Sequence, residues 1–396
     1  MKGIKYFDDQ VVVNNKLVIL RLDLNVPIKD KKIQDFTRID LCLPLIKKLS
    51  KKKAKIIIIS HLGRPHGKID LKLSLKPVFN YLKKKLVSNI FFYSDEISNN
   101  TKDKLAFLKE GEVVLVENIR FYQNELQDDA SFAKNLASLG EIFINDAFSC
   151  SHRKQASIHN IVNFMDQKFG GPLLYKEVES INKVLDNGEN PVTCIIGGSK
   201  ISTKINVLNN LVEKVDNIII IGAMANNFLK YNGINIGKSL VEDNSNEIIK
   251  RIFSNSKKGN CKIVIPEDCV ISNNFDGSGT NKDLSLIKDD EMILDIGFKT
   301  VKKINDIIDK TKTILWNGPA GYFENKSFLN GTLAIAGKIS ENTKKKSLIS
   351  VVGGGDTISA INKSEKEYKF THLSTAGGAF LEFLEGKDLP GLNVLK

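Results

Sequence analysis

Arginine is scarce in this chain of 396 residues: six of the 58 basic residues are arginine and the rest are lysine. Cysteine is scarce too, and Cys42, Cys150, Cys194, Cys261 and Cys269 form no CxxC pair and no zinc spacing. That excludes a zinc module and a disulfide framework and fits a reducing cytoplasm. No apolar run is long enough to span a bilayer, and Met1-Lys2-Gly3-Ile4-Lys5 lacks an apolar signal core, so a cytoplasmic protein is expected. There is no HExxH, no GxSxG, no EF-hand loop and no GxGxxG, which removes those metal, hydrolase and dinucleotide sites. Internal repeats, low-complexity segments and a long basic tail are also missing.

The few arginines are unevenly placed. Arg21, Arg38, Arg64, Arg120 and Arg153 precede position 154, and Arg251 stands apart in the charged stretch Ile249-Lys250-Arg251-Ile252, as a solvated surface residue would. A guanidinium is a rigid fork that binds carboxylate or phosphate through two parallel hydrogen bonds, whereas an ammonium is a point charge. In a lysine-rich chain, arginine is expected where lysine cannot substitute. Five forks in the first part of the chain predict one rim for a small polyanion, with internal salt bridges as the alternative for each. The net charge of +12 also favours anionic partners. The clusters Lys51-Lys52-Lys53, Lys83-Lys84-Lys85 and Lys344-Lys345-Lys346 are expected on solvated helix ends.

The length predicts two domains. Continuous apolar runs predict strands at 17–22, 55–60, 90–93, 113–116 and 142–145, then at 192–196, 217–221, 262–265, 313–316 and 348–352. Such runs are buried on both faces, as in a parallel sheet flanked by helices. Helical patterns at 40–49, 75–85, 130–138 and 204–214 alternate with them. The fold class is therefore α/β: two doubly wound parallel-sheet, Rossmann-like domains. Gly170-Gly171-Pro172 marks the boundary, and a helix from Leu173 to Leu185 follows, ending at Asp186-Asn187-Gly188. The expected division is 1–171, an interdomain hinge helix in 172–188, and 189–385, with a tail of about 386–396 returning to the first domain.

Ligands of open α/β sheets bind beyond the carboxyl ends of strands. Asp23 and Asn25 follow the first strand, where they suit a hydroxyl or form an Asx-turn before Pro27. His61-Leu62-Gly63-Arg64-Pro65, Glu117-Asn118-Ile119-Arg120-Phe121 and Asp146-Ala147-Phe148 with His152-Arg153 follow three others. In the second half, Gly197-Gly198-Ser199-Lys200 leads into Ile201-Ser202-Thr203-Lys204, expected to open a helix with Lys200 and Lys204 toward one anion. Gly353-Gly354-Gly355-Asp356-Thr357 repeats the scheme with a carboxylate suited to Mg²⁺ on phosphate oxygens. Ser374-Thr375-Ala376-Gly377-Gly378-Ala379 is a third such turn. Three glycine turns in one domain predict a nucleotide phosphate site. Gly233-Ile234-Asn235-Ile236-Gly237-Lys238-Ser239 is one residue short of a Walker A loop and lacks a following helical pattern, so it is set aside.

Taken together, RLDLNVP (21–27), the Arg38 region, SHLGRP (60–65), ENIRF (117–121), NDAFSCSHR (145–153), GGSKISTK (197–204), WNGPAGYFE (316–324), GGGDT (353–357) and STAGGAFLEFLEGK (374–387) resemble the phosphoglycerate kinase family in order and nearly end to end. The resemblance implies phosphoryl transfer between 1,3-bisphosphoglycerate and ADP, giving 3-phosphoglycerate and ATP, by a cytoplasmic monomer. It implies that Asp23, Asn25, Arg38, His61, Arg64, Arg120 and Arg153 bind the phosphoglycerate. Lys200, Lys204, Glu324, Gly353, Gly354, Gly355, Asp356 and Thr357 would bind nucleotide, with Mg²⁺ on Asp356. Arg38, Lys200 and the amides of Gly377 and Gly378 would serve the transferred group, and the two domains would close on their substrates. Three departures stand out: Leu24 where many members have Phe, Lys154-Gln155 where many have Ala-His, and Ala376 where many have the first of three glycines. Positive φ would cost an alanine ~1–2 kcal/mol, so negative φ is expected at Ala376. The rival readings are a two-domain kinase with another acceptor, which would lack the arginine rim, and a basic nucleic-acid-binding protein, for which aromatic–basic interleaving is too sparse.

Overall fold

The computed structural model describes residues 3–186 and 188–396. Met1, Lys2 and the Asn187 of the expected helix terminator lie outside the described residues. The chain forms two compact units, Met1–Val178 with Asp388–Lys396, and Glu179–Lys387.

In the first unit, strands β1 (Leu17–Arg21), β2 (Lys55–Ile59), β3 (Ile90–Tyr93), β4 (Val113–Val116), β5 (Ile142–Asn145) and β6 (Gln167–Gly170) form one sheet in the order β3-β4-β2-β1-β5-β6. Every pairing is parallel. The sequence explains why: Ile56, Ile57, Ile58 and Ile59 are all fully buried, so β2 needs cover on both faces. Each such side chain contributes ~1.5–3 kcal/mol on leaving water. Helices α1 (Thr37–Lys51) and α2 (Lys76–Lys85) cover one face, packing Ile39, Ile46, Phe79 and Leu82 with Ile56 and Ile58, while α3 (Ala130–Ala137) buries Phe132 and Leu136. The winding direction reverses at β1, whose neighbours are β2 and β5, and a crevice is expected beyond the carboxyl ends there.

Helix α4 (Pro172–Leu185) begins where glycine and proline punctuate the sequence. Asp146 Oδ1 accepts hydrogen bonds from the Leu173 and Leu174 amides at 2.7 and 3.0 Å, satisfying two donors of its first turn. A Cβ on Gly171 would lie 2.4 Å from the same oxygen, so glycine is needed for that approach. The division between units falls inside α4, after Val178.

In the second unit, β7 (Val192–Ile196), β8 (Asn217–Ile220), β9 (Lys262–Val264), β13 (Thr313–Asn317), β14 (Ile349–Gly353) and β15 (His372–Ser374) form a sheet in the order β9-β8-β7-β13-β14-β15. It too is parallel throughout, and its switch point lies between β7 and β13. A separate antiparallel sheet pairs β10 (Asp268–Ser272) with β11 (Thr280–Asp283) and β12 (Met292–Ile296). Around these lie α5 (Ile205–Leu211), α6 (Ala225–Tyr231), α7 (Asn246–Lys258), α8 (Phe298–Lys310), α9 (Asn330–Lys344), α10 (Gly355–Asn362) and α11 (Gly378–Leu384).

The lysine clusters fall at the carboxyl ends of α1, α2 and α9, where cations complement the helix dipole. Arg251 is exposed on α7. One expectation fails locally: Ile201-Ser202-Thr203-Lys204 is a turn, and α5 starts after it at Ile205. The Walker-like segment is a brace. Its Ser239 hydroxyl accepts from the Ile293 amide at 2.8 Å, and Gly237 bridges Met292.

Candidate functional site

Beyond β1, Asp23 and Asn25 make the Asx-turn that precedes Pro27, with the Asn25 amide donating to Asp23 Oδ1 at 3.1 Å. That turn organises a wider polar cluster. Asp23 Oδ2 accepts from Arg38 Nη1 at 2.8 Å and from the Ser149 hydroxyl at 2.5 Å. Arg38 Nη1 also donates to the Asn25 carbonyl at 3.2 Å, and Asn25 Oδ1 accepts from the Gly63 amide at 2.9 Å. Arg38 reaches this cluster from the first turn of α1. Asp35 Oδ1 opens that helix by accepting from the Thr37 amide and hydroxyl at 2.8 and 2.6 Å.

The loop after β4 joins the same cluster. Asn118 Oδ1 accepts from the amides of Leu62 and Arg120, while its Nδ2 donates to the carbonyls of Leu62 and Leu73. Arg120 is buried; its Nη1 donates to the Gly63 carbonyl at 3.0 Å and its Nη2 to Gln155 Oε1 at 3.3 Å. Its Nε is buried and has no hydrogen-bond partner among the described residues. Arg64 and Arg153 are exposed.

Arg21 departs from the expected rim. It is fully buried, donating from Nε to the Ser157 hydroxyl at 2.9 Å and from Nη1 to the Leu22 carbonyl at 2.5 Å. It therefore acts as an internal tie, which β1 burial forces on the last residue of the strand. His61 is also buried, with Nδ1 3.4 Å from Arg21 Nη2. Arginine only donates, so Nδ1 accepts and the ring proton sits on Nε2. Burial first, then the charges of Arg120, Arg21, Arg38 and Arg153, push the His61 pKa well below the ordinary range. His152 is pushed down to about 4, mainly by burial and then by Arg153 and Arg120. The cationic character of this site therefore comes from guanidinium groups, suited to a doubly charged or more highly charged small anion.

In the second unit the loops after β7, β13 and β14 converge. A Cβ on Gly197 would lie 2.5 Å from the Pro319 carbonyl oxygen, and one on Gly354 would lie 2.7 Å from Asn317 Nδ2. Gly354 has φ 103° and Gly377 has φ 58°, so both use conformations that favour glycine. Ala376 is not among the residues with positive φ, as expected, and the positive φ falls on Gly377 instead. The Thr357 hydroxyl accepts from the Gly318 amide at 2.7 Å.

Lys204 is buried and donates to Asn317 Oδ1, and Asn317 Nδ2 donates to the Gly353 carbonyl at 3.0 Å. Burial lowers the Lys204 pKa to about 8, with Asp356 and Glu385 opposing. Lys200 is exposed, so the two lysines differ in their surroundings. A cavity of about 550 Å³ is lined by Gly198, Ser199, Glu324 and Asp356, together with apolar side chains that include Leu229, Leu240, Phe275 and Leu294. Asp356 and Glu324 are exposed. Among the described residues no three His, Cys, Asp or Glu side chains converge on a metal site. A single exposed carboxylate fits Mg²⁺ carried largely by phosphate oxygens and water.

Asn118, Ser149, Gln155 and Asn317 were not marked as site residues by their type or position. Asn118 and Asn317 lie inside recognisable motifs, but their hydrogen-bond partners are distant in sequence.

The phosphoglycerate kinase family model matches residues 8–387. Phosphoglycerate kinase of Wolbachia sp. subsp. Drosophila simulans (strain wRi) is 44% identical over 386 residues, covering 97% of this chain and 96% of that protein. The one from Rhizobium meliloti (strain 1021) is 42% identical over 394 residues, covering 99% and 98%. The solved structure of phosphoglycerate kinase from Coxiella burnetii superposes with a TM-score of 0.91 at 38% identity, covering 99% of both chains. That of the enzyme from Pyrococcus horikoshii OT3 gives 0.82 at 28% identity, covering 98% of both. With the family's motifs standing at the carboxyl ends of two parallel sheets, and with likeness running from one end to the other, the chain belongs to the phosphoglycerate kinase family.

Proposed function

We propose that the two units divide the substrates of the family reaction, phosphoglycerate going to the first and nucleotide to the second. The reaction moves a phosphoryl group reversibly between 1,3-bisphosphoglycerate and ADP, giving 3-phosphoglycerate and ATP. The acyl P–O bond breaks as a new bond forms to the terminal phosphate oxygen of ADP. The donor leaves as a carboxylate, so no general base is required; positioning and charge neutralisation carry the catalysis.

In this reading Asp23, Asn25, Arg38, His61, Arg64, Arg120 and Arg153 hold the phosphoglycerate, and Arg38 meets the developing carboxylate and phosphoryl charge. The nucleoside lies in the cavity with Glu324 toward its ribose. Lys200, Lys204, the amides of 353–357 and those of Gly377 and Gly378 meet the phosphates. Asp356 is the residue that would hold Mg²⁺, which screens phosphate charge when bound. The cavity carries the assignment, because it combines apolar walls with Gly198, Ser199, Glu324 and Asp356. A cytoplasmic monomer fits the reading, and all five cysteines are free and buried.

Calorimetry tests the division. Asp356→Asn should weaken MgADP binding and leave 3-phosphoglycerate binding unchanged. Unaltered MgADP affinity and magnesium dependence would remove Asp356 from the metal site. ATP formation from bisphosphoglycerate and ADP separates this reading from a kinase with another acceptor.

A further inference from the structure

Gln155 stands two residues beyond Arg153 and is only 5% exposed. Its backbone is pinned. The Gln155 carbonyl accepts from the amides of Ile158 and His159 at 2.9 and 2.7 Å, and the next residue, Ala156, donates to the Glu125 carbonyl at 3.0 Å. Glu125 then holds Ser157 through its amide and hydroxyl at 2.8 and 2.7 Å. From that fixed backbone the side-chain amide reaches Arg120, with Oε1 accepting from Nη2 at 3.3 Å. Among the described residues, its Oε1 is the one side-chain acceptor that Arg120 has. Arg120 Nη1 is fixed on Gly63, and Nε is a buried donor without a hydrogen-bond partner among the described residues.

We propose that Gln155 is a positioning residue: its uncharged carbonyl fixes the plane of the Arg120 guanidinium so that the remaining donor capacity faces the phosphoglycerate anion. The inference rests on the reading of Arg120 as a substrate-binding residue. An acceptor here must be neutral. A carboxylate would cancel the charge that attracts the substrate, while a protonated imidazole would repel Arg120 and Arg153. The charged or titratable groups acting on Arg120 are Cys150, Arg21, Arg153 and Glu125, and His61 and His152 feel its charge in turn. Both of those imidazoles are held neutral by burial and by the arginines, so the amide at 155 adds no ionisation to a site whose charge is fixed.

The test uses the full chain, assayed with MgATP and 3-phosphoglycerate, in four forms: wild type, Gln155→Leu, Gln155→His and Arg120→Lys. Gln155→Leu should raise KM for 3-phosphoglycerate roughly tenfold, as expected for one hydrogen bond to a charged group, and leave KM for MgATP within about twofold. Gln155→His should match wild type at about pH 8, where a neutral imidazole accepts. It should keep that match at about pH 5.5, because burial and the charges of Arg153 and Arg120, which hold His152 neutral there, would hold an imidazole at 155 neutral too. If Arg120→Lys raises KM for 3-phosphoglycerate while Gln155→Leu does not, the positioning role is wrong and the substrate site stands. If Arg120→Lys also leaves it unchanged, the reading of Arg120 itself falls. Parallel loss of MgADP affinity in Gln155→Leu, measured by calorimetry, would mean general damage and would overturn the proposal.

Discussion

Arg38 Nη1 donates to both Asp23 and the Asn25 carbonyl, and the side chain is 29% exposed. A lysine could keep the charge but not the planar guanidinium fork. Arg38→Lys should therefore lower kcat by roughly 10²-fold, the scale for losing one preorganised charge stabiliser. A partly exposed pair is worth less than about 1 kcal/mol, so the thermal midpoint should barely move. Steady-state kinetics beside thermal melts would check this, and turnover close to wild type would remove Arg38 from the chemistry. Lys204 yields a different prediction. Its pKa in the folded chain is about 8, down from 10.5, chiefly through burial. Between those values the unfolded chain binds the proton and the folded chain does not, so this residue makes stability rise with pH across that window. Nucleotide phosphate near Nζ would favour the ammonium. MgADP binding at about pH 8.5 should then take up protons, measured by calorimetry in buffers of different ionisation enthalpy, and Lys204→Met should abolish the uptake.

At the scale of elements, the glycine turn 353–355 separates backbone conformation from ligand approach. Gly354 has φ 103° and faces Asn317, whereas Gly355 lies in the first turn of α10 with open space where a Cβ would project. Gly354→Ala should cost ~1–2 kcal/mol in backbone strain alone, and more from the contact with Asn317. Gly355→Ala should leave the melting temperature unchanged or slightly raised, since alanine favours helix by about 1 kcal/mol over glycine. It should nevertheless weaken nucleotide binding if phosphate approaches that backbone. Unchanged MgADP affinity in Gly355→Ala would place the phosphates elsewhere. These turns were legible because each follows a strand of continuous Ile, Val and Leu, and β3, β4, β5 and β7 match their apolar runs residue for residue. The antiparallel sheet was not legible. Its β11, Thr-Asn-Lys-Asp, has no apolar residue, and its pairing with β10 depends on tertiary contact. The burial of Arg21 was hidden for the same reason. Its side chain is matched by Ser157, far along the chain, and by backbone, neither of which has a local pattern. Gln155 could be noticed as a departure from the family pattern, but its contact with Arg120 required the fold.

At the scale of the whole molecule, the chain forms two separately cored units, and the proposed function assigns one anionic substrate to each. Apolar clusters around Val18, Leu20 and Ile58 in one, and around Ile195, Ile314 and Trp316 in the other, support each sheet by itself. In-line transfer needs donor and acceptor atoms within ~3–3.5 Å, so turnover requires the substrates to meet, whereas the proposed division predicts that each binds alone. Single-ligand hydrogen exchange should resolve this. A ligand at about 100 times its Kd stabilises the state it binds by ~2.7 kcal/mol, slowing exchange there about a hundredfold where opening abolishes binding. With 3-phosphoglycerate alone, protection should rise in peptides carrying Asp23, Asn25, Arg38, His61 and Arg120. With MgADP alone, it should rise in peptides carrying Lys204, Glu324, Asp356 and Gly377. Arg251 on α7 lies in neither set and should report no change. If MgADP protects the first group and 3-phosphoglycerate the second, the assignment of substrates to units is reversed. If either ligand protects both groups equally, binding at one site is coupled to both cores, and each unit no longer acts as an independent host for its own substrate.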